Sequence, residues 1–161
     1  MITIRQMTAH DDLAVSRIVS ACTRFIAGPD GFTPEQRDRL IVERCQPAHM
    51  AVNRDRYSCH VAEQDGSVVG FVAHSGSSIE ELFVDPDHHR QGIGTALFQK
   101  VEADCQDSVL TVGTTGFGVP FYEAMGMHVT GKRLVTFGPL EGRELIQLEK
   151  RRPDRAGEAT A

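Results

Sequence analysis

No stretch of this sequence approaches the roughly 18 consecutive apolar residues that a membrane-spanning helix needs, so no membrane partner is expected. The opening residues, Met1-Ile2-Thr3-Ile4-Arg5, lack the apolar core of a secretory signal. Cysteine is sparse and dispersed. Cys22, Cys45, Cys59 and Cys105 form no Cys-x-x-Cys pair, which argues against a zinc ribbon or a disulfide framework. Reduced, partly buried thiols in the cytoplasm are the expectation. A basic excess is missing too: the formal net charge is −5, which runs against a sequence-independent nucleic-acid binder and suits an amine-bearing partner. A metal site is not expected either. His60 and His74 fall in strand-like runs without Cys/His spacing, and the adjacent His88 and His89 cannot readily aim both rings at one ion.

What is present suits one globular domain, since 161 residues at 40% hydrophobic content can build a single core. We expect it to span residues 1–150, with 151–161 too poor in apolar residues to pack. Ile2 to Met7 reads as a first strand at a sheet edge. Thr8-Ala9-His10-Asp11 reads as a capping box, opening a helix whose buried stripe is Val15, Ile18, Val19, Cys22, Phe25 and Ile26 and which ends at Gly28-Pro29. Thr33-Pro34-Glu35-Gln36 starts a second helix with Leu40, Ile41 and Cys45 inward, stopped by Pro47 and followed by a short helical piece from Ala48. Tyr57–Glu63 and Val68–His74 flank Asp65-Gly66, a tight hairpin turn.

The densest signal runs from Ile79 to Cys105. Ile79–Val84 is rich in apolar and β-branched residues and stops at Asp85-Pro86. Beyond the turn, Ile93, Leu97, Val101 and Cys105 recur every fourth residue, so they form the buried stripe of a helix that begins near Gly92. A helix N-terminus offers unpaired amides and a partial positive charge, and the absence of Cβ at Gly92 and Gly94, with Arg90 nearby, suits a phosphate. A nucleotide P-loop is excluded because Gly94-Thr95 has no lysine before the hydroxyl; a dinucleotide fingerprint is excluded because Leu97 stands where its third glycine belongs. A short strand follows at Ser108–Val112, then a loop through Gly113–Gly116 and a helix from Phe117 to Met125 ended by Gly126. Met127–Thr136 and Glu144–Leu148 form a last hairpin.

His89-Arg90-Gln91-Gly92-Ile93-Gly94 resembles the Gln/Arg-x-x-Gly-x-Gly/Ala loop of the GNAT superfamily of acyl-CoA N-acyltransferases, and Phe121-Tyr122-Glu123-Ala124-Met125-Gly126-Met127 resembles its Phe-Tyr-Glu-x-x-Gly-Phe segment. Two departures stand out: His89 opens the loop motif, and Gly113 stands where many members carry Asn. The resemblance implies a mixed α/β fold. Its mostly antiparallel sheet has about six to seven strands, helices on both faces and one crossover to a parallel pair that splays apart. It also implies acetyl-CoA as acyl donor, bound at Leu82, Phe83, Val84, His89, Arg90, Gln91, Gly92, Ile93, Gly94, Thr95 and Phe121, with no metal.

The expected activity is acetyl transfer to a primary amine of a small molecule or peptide; a non-catalytic acyl-CoA-binding or regulatory module is the alternative, and a homodimer is left open. An aliphatic ammonium has a pKa near 10.4 and must lose a proton before it attacks, so a base is needed. Strict alternation puts Ser78, Glu80, Leu82 and Val84 on one side of the strand and Glu81 on the other, which favours Glu80 as the base, with Glu81 or a water chain as substitutes. Ser78 stands where the histone-modifying branch carries its glutamate, which counts against that branch. By the resemblance, Tyr122 is the acid that protonates the departing thiolate.

Overall fold

The computed structural model describes residues 1–152. The chain runs β1 (Ile2–Gln6), α1 (Asp12–Ala27), α2 (Pro34–Arg44), α3 (Pro47–Arg56), β2 (Ser58–Gln64), β3 (Ser67–Ser75), β4 (Ser78–Val84), α4 (Ile93–Asp104), β5 (Val109–Thr114), α5 (Val119–Ala124), β6 (His128–Leu134) and β7 (Glu144–Arg151), with single helical turns at Ala9–Asp11, Pro86–His88 and Gly116–Gly118. Local chemistry accounts for the main boundaries. Thr33 and Gln36 exchange backbone and side-chain hydrogen bonds at 3.0 and 3.1 Å to cap α2. Asp65 and Gly66 both take positive φ, 53° and 79°, the conformation a two-residue hairpin loop requires. The Asp11 carboxylate, expected to cap α1, accepts from Thr8 N at 2.8 Å and also from both terminal nitrogens of Arg5, which ties β1 to the helix entrance.

The strands form one sheet in the order β1-β2-β3-β4-β5-β7-β6, antiparallel except for β4 and β5. That parallel pair is held only at Ser78↔Thr111 and Ile79↔Val112; beyond these residues the strands separate. Two apolar cores cover the two faces. On one, the expected stripe Ile93, Leu97 and Val101 of α4 packs with Val72, Ile79, Leu110, Val112, Tyr122 and Leu148, all under 7% exposed. On the other, Val15 and Val19 of α1 and Met50 of α3 pack on Val61, Phe71 and Ala73. The expected architecture is the observed one, because each apolar period maps onto one of these two burial surfaces.

Several local expectations are corrected. Phe25 is 46% exposed, not core; its ring instead meets His89 edge-on at 5.2 Å and Phe117 at 5.6 Å. Gly113 and Thr114 continue β5 instead of opening a loop, because β7 pairs along their whole length, and β7 itself runs on to Arg151. Arg152 is anchored as well, its guanidinium donating to the carbonyls of Glu102, Cys105 and Asp107 at 2.6–2.9 Å. Residues 151 and 152 of the expected tail are thus held by the fold, and 153–161 lie outside the described residues.

Candidate active site

Where β4 and β5 part, the backbone of β4 is left without a strand partner. Asp85 N donates to Val69 O at 2.9 Å, so the odd residues of β4 bond towards β3 and the groups of Leu82 and Val84 point towards the gap. The gap opens into a cavity of about 1350 Å³, lined by all of the expected site residues except Gln91, which is exposed. The expected site residue His89 reaches the same strip, as does Cys22, which the sequence did not single out: Cys22 Sγ and His89 Nε2 each donate to Val84 O at 3.0 Å, so His89 carries a proton on Nε2.

At one end of the cavity lies the glycine loop. Arg90 and Gly92 both adopt left-handed φ, 63° and 80°, so successive amides turn inward ahead of α4. The two glycines serve different ends. Gly92 supplies a left-handed N-cap in open space, whereas a Cβ at Gly94 would lie 2.9 Å from the Phe121 ring. Phe121 in turn stacks edge-on against Tyr122 at 5.0 Å, which links the loop to α5. The buried Tyr122 hydroxyl has its pKa pushed above the usual phenol value by loss of solvent alone, so the phenol stays protonated.

At the other end, both carboxylates line the cavity, but Glu80 is not on the side of the strand expected of it. β4 pairs Ala73↔Glu81 but His74↔Ile79, so Glu80 is an extra residue in a bulge. Strict alternation fails there: Ile79 lies in the same core as Leu82 and Val84, and Glu80 turns to the face of Ser78, whose hydroxyl donates to it at 3.1 Å. Glu80 thus does not share a side with Leu82 and Val84, and it is exposed. Glu81 is the partly buried one. Burial pushes its carboxyl up to about 7, against the pull of the Arg44 charge and a hydrogen bond from Asn53 Nδ2 at 2.8 Å, with Glu80 adding an upward push. Among the described residues no three metal-ligating side chains converge.

The parts present are a glycine loop at a helix N-terminus, a strip of β4 backbone without a strand partner, a protonated phenol and a carboxyl poised near neutrality, arranged along one cavity. Such a set can hold a phosphorylated arm in extended form and move protons at its inner end. Residues 30–138 match the family model described as "Acetyltransferase (GNAT) domain". Over 82 residues the chain is 35% identical to peptidyl-lysine N-acetyltransferase YiaC of Escherichia coli, a match that spans 47% of this chain and 56% of that protein. Its fold resembles a GCN5-related N-acetyltransferase from Rhodopseudomonas palustris at a TM-score of 0.81, with 21% identity over 92% of this chain and 94% of that one. It also resembles the PaiA N-acetyltransferase of Thermoplasma acidophilum, solved with coenzyme A, at 0.73, with 14% identity over 94% and 99%.

Proposed function

The chain belongs to the acetyltransferase (GNAT) domain family, and from that premise we propose that it moves an acetyl group from acetyl-CoA to a primary amine by direct attack. The observation that carries the reading is the placement of Glu81 and Tyr122 in one cavity, beyond the free edge of β4. The loop amides from Arg90 to Thr95 and the dipole of α4 would take the pyrophosphate, and the backbone of Leu82 would bond the extended arm as a neighbouring strand does, with Val84 N–H left to face the thioester. The Thermoplasma acidophilum neighbour, solved with coenzyme A, supports that donor.

Glu81 is the base in this proposal. A carboxyl with a pKa near 7 is about half ionised at neutral pH yet basic enough to draw a proton from an ammonium, and it sits beside the cavity where Glu80 is solvated. The amine nitrogen then forms its bond to the thioester carbon, with Val84 N–H facing the developing oxyanion. As the C–S bond breaks, Tyr122 gives its proton to the sulfur. The nitrogen sheds two protons in all, one regained by the thiol and one released through Glu81 to solvent, so the charges balance. All four cysteines are free and buried, which suits a reducing compartment such as the cytoplasm.

The test is release of free thiol from acetyl-CoA in the presence of a panel of amines, read against tight binding of CoA itself by calorimetry. Amine-dependent release supports the enzyme. CoA binding with no amine-dependent release from any acceptor would leave a binding module in its place.

A further inference from the structure

The face of the sheet that carries Glu81 continues as a row across the next strands. Val112 and Leu148 belong to the core under α4, so alternation turns Gly113 and Gln147 to the opposite side, that of Glu81. Gln147 pairs directly with Gly113 across the β5–β7 ladder, and Arg133 pairs with Leu145 on the same side of β7. Gly113 leaves a space that the Gln147 amide fills: a Cβ at Gly113 would lie 2.8 Å from Gln147 Nε2. That nitrogen is buried and makes no hydrogen bond among the described residues, in a side chain that borders the cavity. A buried amide donor without an acceptor is costly, which is a reason to ask what it meets when the cavity is filled.

Nearby groups name the chemistry. Arg133 and Arg44 line the same cavity, and neither has a carboxylate within ion-pair distance among the described residues, although the Arg44 charge acts on Glu81 from further away. Arg44 reaches across from α2 to the β6–β7 loop, where its Nη2 would be 3.3 Å from a Cβ at Gly138. Donors thus share the cavity with the more buried acid Glu81, which suits an ammonium. A polyamine would meet two guanidinium charges on the way in. An amine that also bears a carboxylate would match both ends, with Phe32, Leu40 and Leu140 left to pack an apolar side chain.

We propose that Gln147, together with Arg133 and Arg44, binds a carboxylate on the acceptor, so that the acceptor is a free amino acid. The inference rests on the acetyl-transfer reading of this cavity and deepens it. A peptide N-terminus carries an amide where a free amino acid carries its carboxylate, so it would not satisfy these donors equally.

The experiment compares leucine and phenylalanine with their carboxamides as acceptors, in wild type and in Gln147→Leu, Arg133→Gln and Gly113→Ala, whose new methyl would displace the Gln147 amide. Wild type should favour the acids by about tenfold or more in kcat/KM, as loss of a hydrogen bond to a charged group implies. Each variant should lose that preference through a higher KM for the acid, while its affinity for CoA by calorimetry stays at the wild-type value. Equal use of acid and carboxamide by wild type overturns the inference. So does weakened CoA binding in Gln147→Leu and Gly113→Ala, which would assign Gln147 to the donor site. Should no amine be acetylated at all, calorimetry on the CoA-loaded protein decides: saturable binding of the acids but not the carboxamides supports the carboxylate site while removing the catalytic reading, and no binding overturns both.

Discussion

Asn53 Nδ2 donates a 2.8 Å hydrogen bond to Glu81 Oε2, joining α3 to β4. Asn53 is 3% exposed, and its own carbonyl accepts from Tyr57 N and Cys59 Sγ, so the amide is held in place from both ends of the residue. That bond favours the ionised carboxylate and opposes the effect of burial. Replacing Asn53 with Leu should therefore move the acid limb of kcat/KM upward by roughly one pH unit, the size of a hydrogen bond to a charged group. Asn53→Ser, which keeps a donor, should shift it less. A pH–rate profile of both variants checks this, and an unmoved limb would reduce Asn53 to packing.

Glu81→Gln should lower kcat by about 10²–10⁴, the usual contribution of a general base, and should remove the limb near pH 7. Glu80→Gln, at an exposed bulge, should change kcat by less than about threefold, since a solvated carboxylate off the proton path contributes little to the barrier. Steady-state rates for the two variants across pH separate them, and the reverse order would return the role of base to Glu80.

The same carboxyl carries a stability signature. Its pKa rises from 4.5 unfolded to about 7 folded, so between these values the folded protein holds a proton that the unfolded chain has lost. The resulting stabilisation is complete below pH 4.5 and disappears as pH rises through 7. Glu81→Gln should thus match wild type in thermal melts below pH 4.5 and exceed it above pH 7, by about 3 kcal/mol at most. A variant less stable than wild type at pH 8 would contradict the buried placement.

Tyr122→Phe keeps the ring against Phe98 and Phe121 and removes only the hydroxyl. It should lower kcat by about 10²–10⁴ with little change in KM for acetyl-CoA, because the proton moves only in the transition state. Its melting temperature should stay near wild type, whereas Tyr122→Ala, which empties a buried site, should lose about 3–5 kcal/mol of stability. Wild-type kcat in the Phe variant, with chemistry rate-limiting, would exclude Tyr122 as the acid.

The two loop glycines should fail differently. Gly92→Val forces a branched residue into a φ of 80° in otherwise open space, so it should weaken CoA binding about tenfold or more by distorting the cradle. Gly92→Asn, which tolerates that conformation better, should be milder. Gly94→Ala acts on the ring of Phe121 instead, and should disturb Tyr122 and kcat as well as affinity. Calorimetric titration with CoA and parallel kinetics test the split.

Much of this molecule is written locally in its chain. The stripe Ile93, Leu97, Val101 and Cys105, the Asp65-Gly66 turn and the Thr33–Gln36 cap depend on neighbours a few residues away, so periodicity and backbone sterics suffice to read them. The loop motif and the Tyr122 segment named the family for the same reason. The carboxylates were a different matter. Alternation along β4 puts Glu80 beside Leu82 and Val84 only if the strand is regular, and the bulge that turns it to the face of Glu81 arises from pairing with β3, through Ala73 and His74. Nor does any local pattern join Asn53 to Glu81 or Gln147 to Gly113, 28 and 34 residues apart; strand order and helix docking bring them together. Short-range sterics belong to the sequence, while register across the sheet, and with it the burial that sets the character of each acid, is decided only when the whole chain packs.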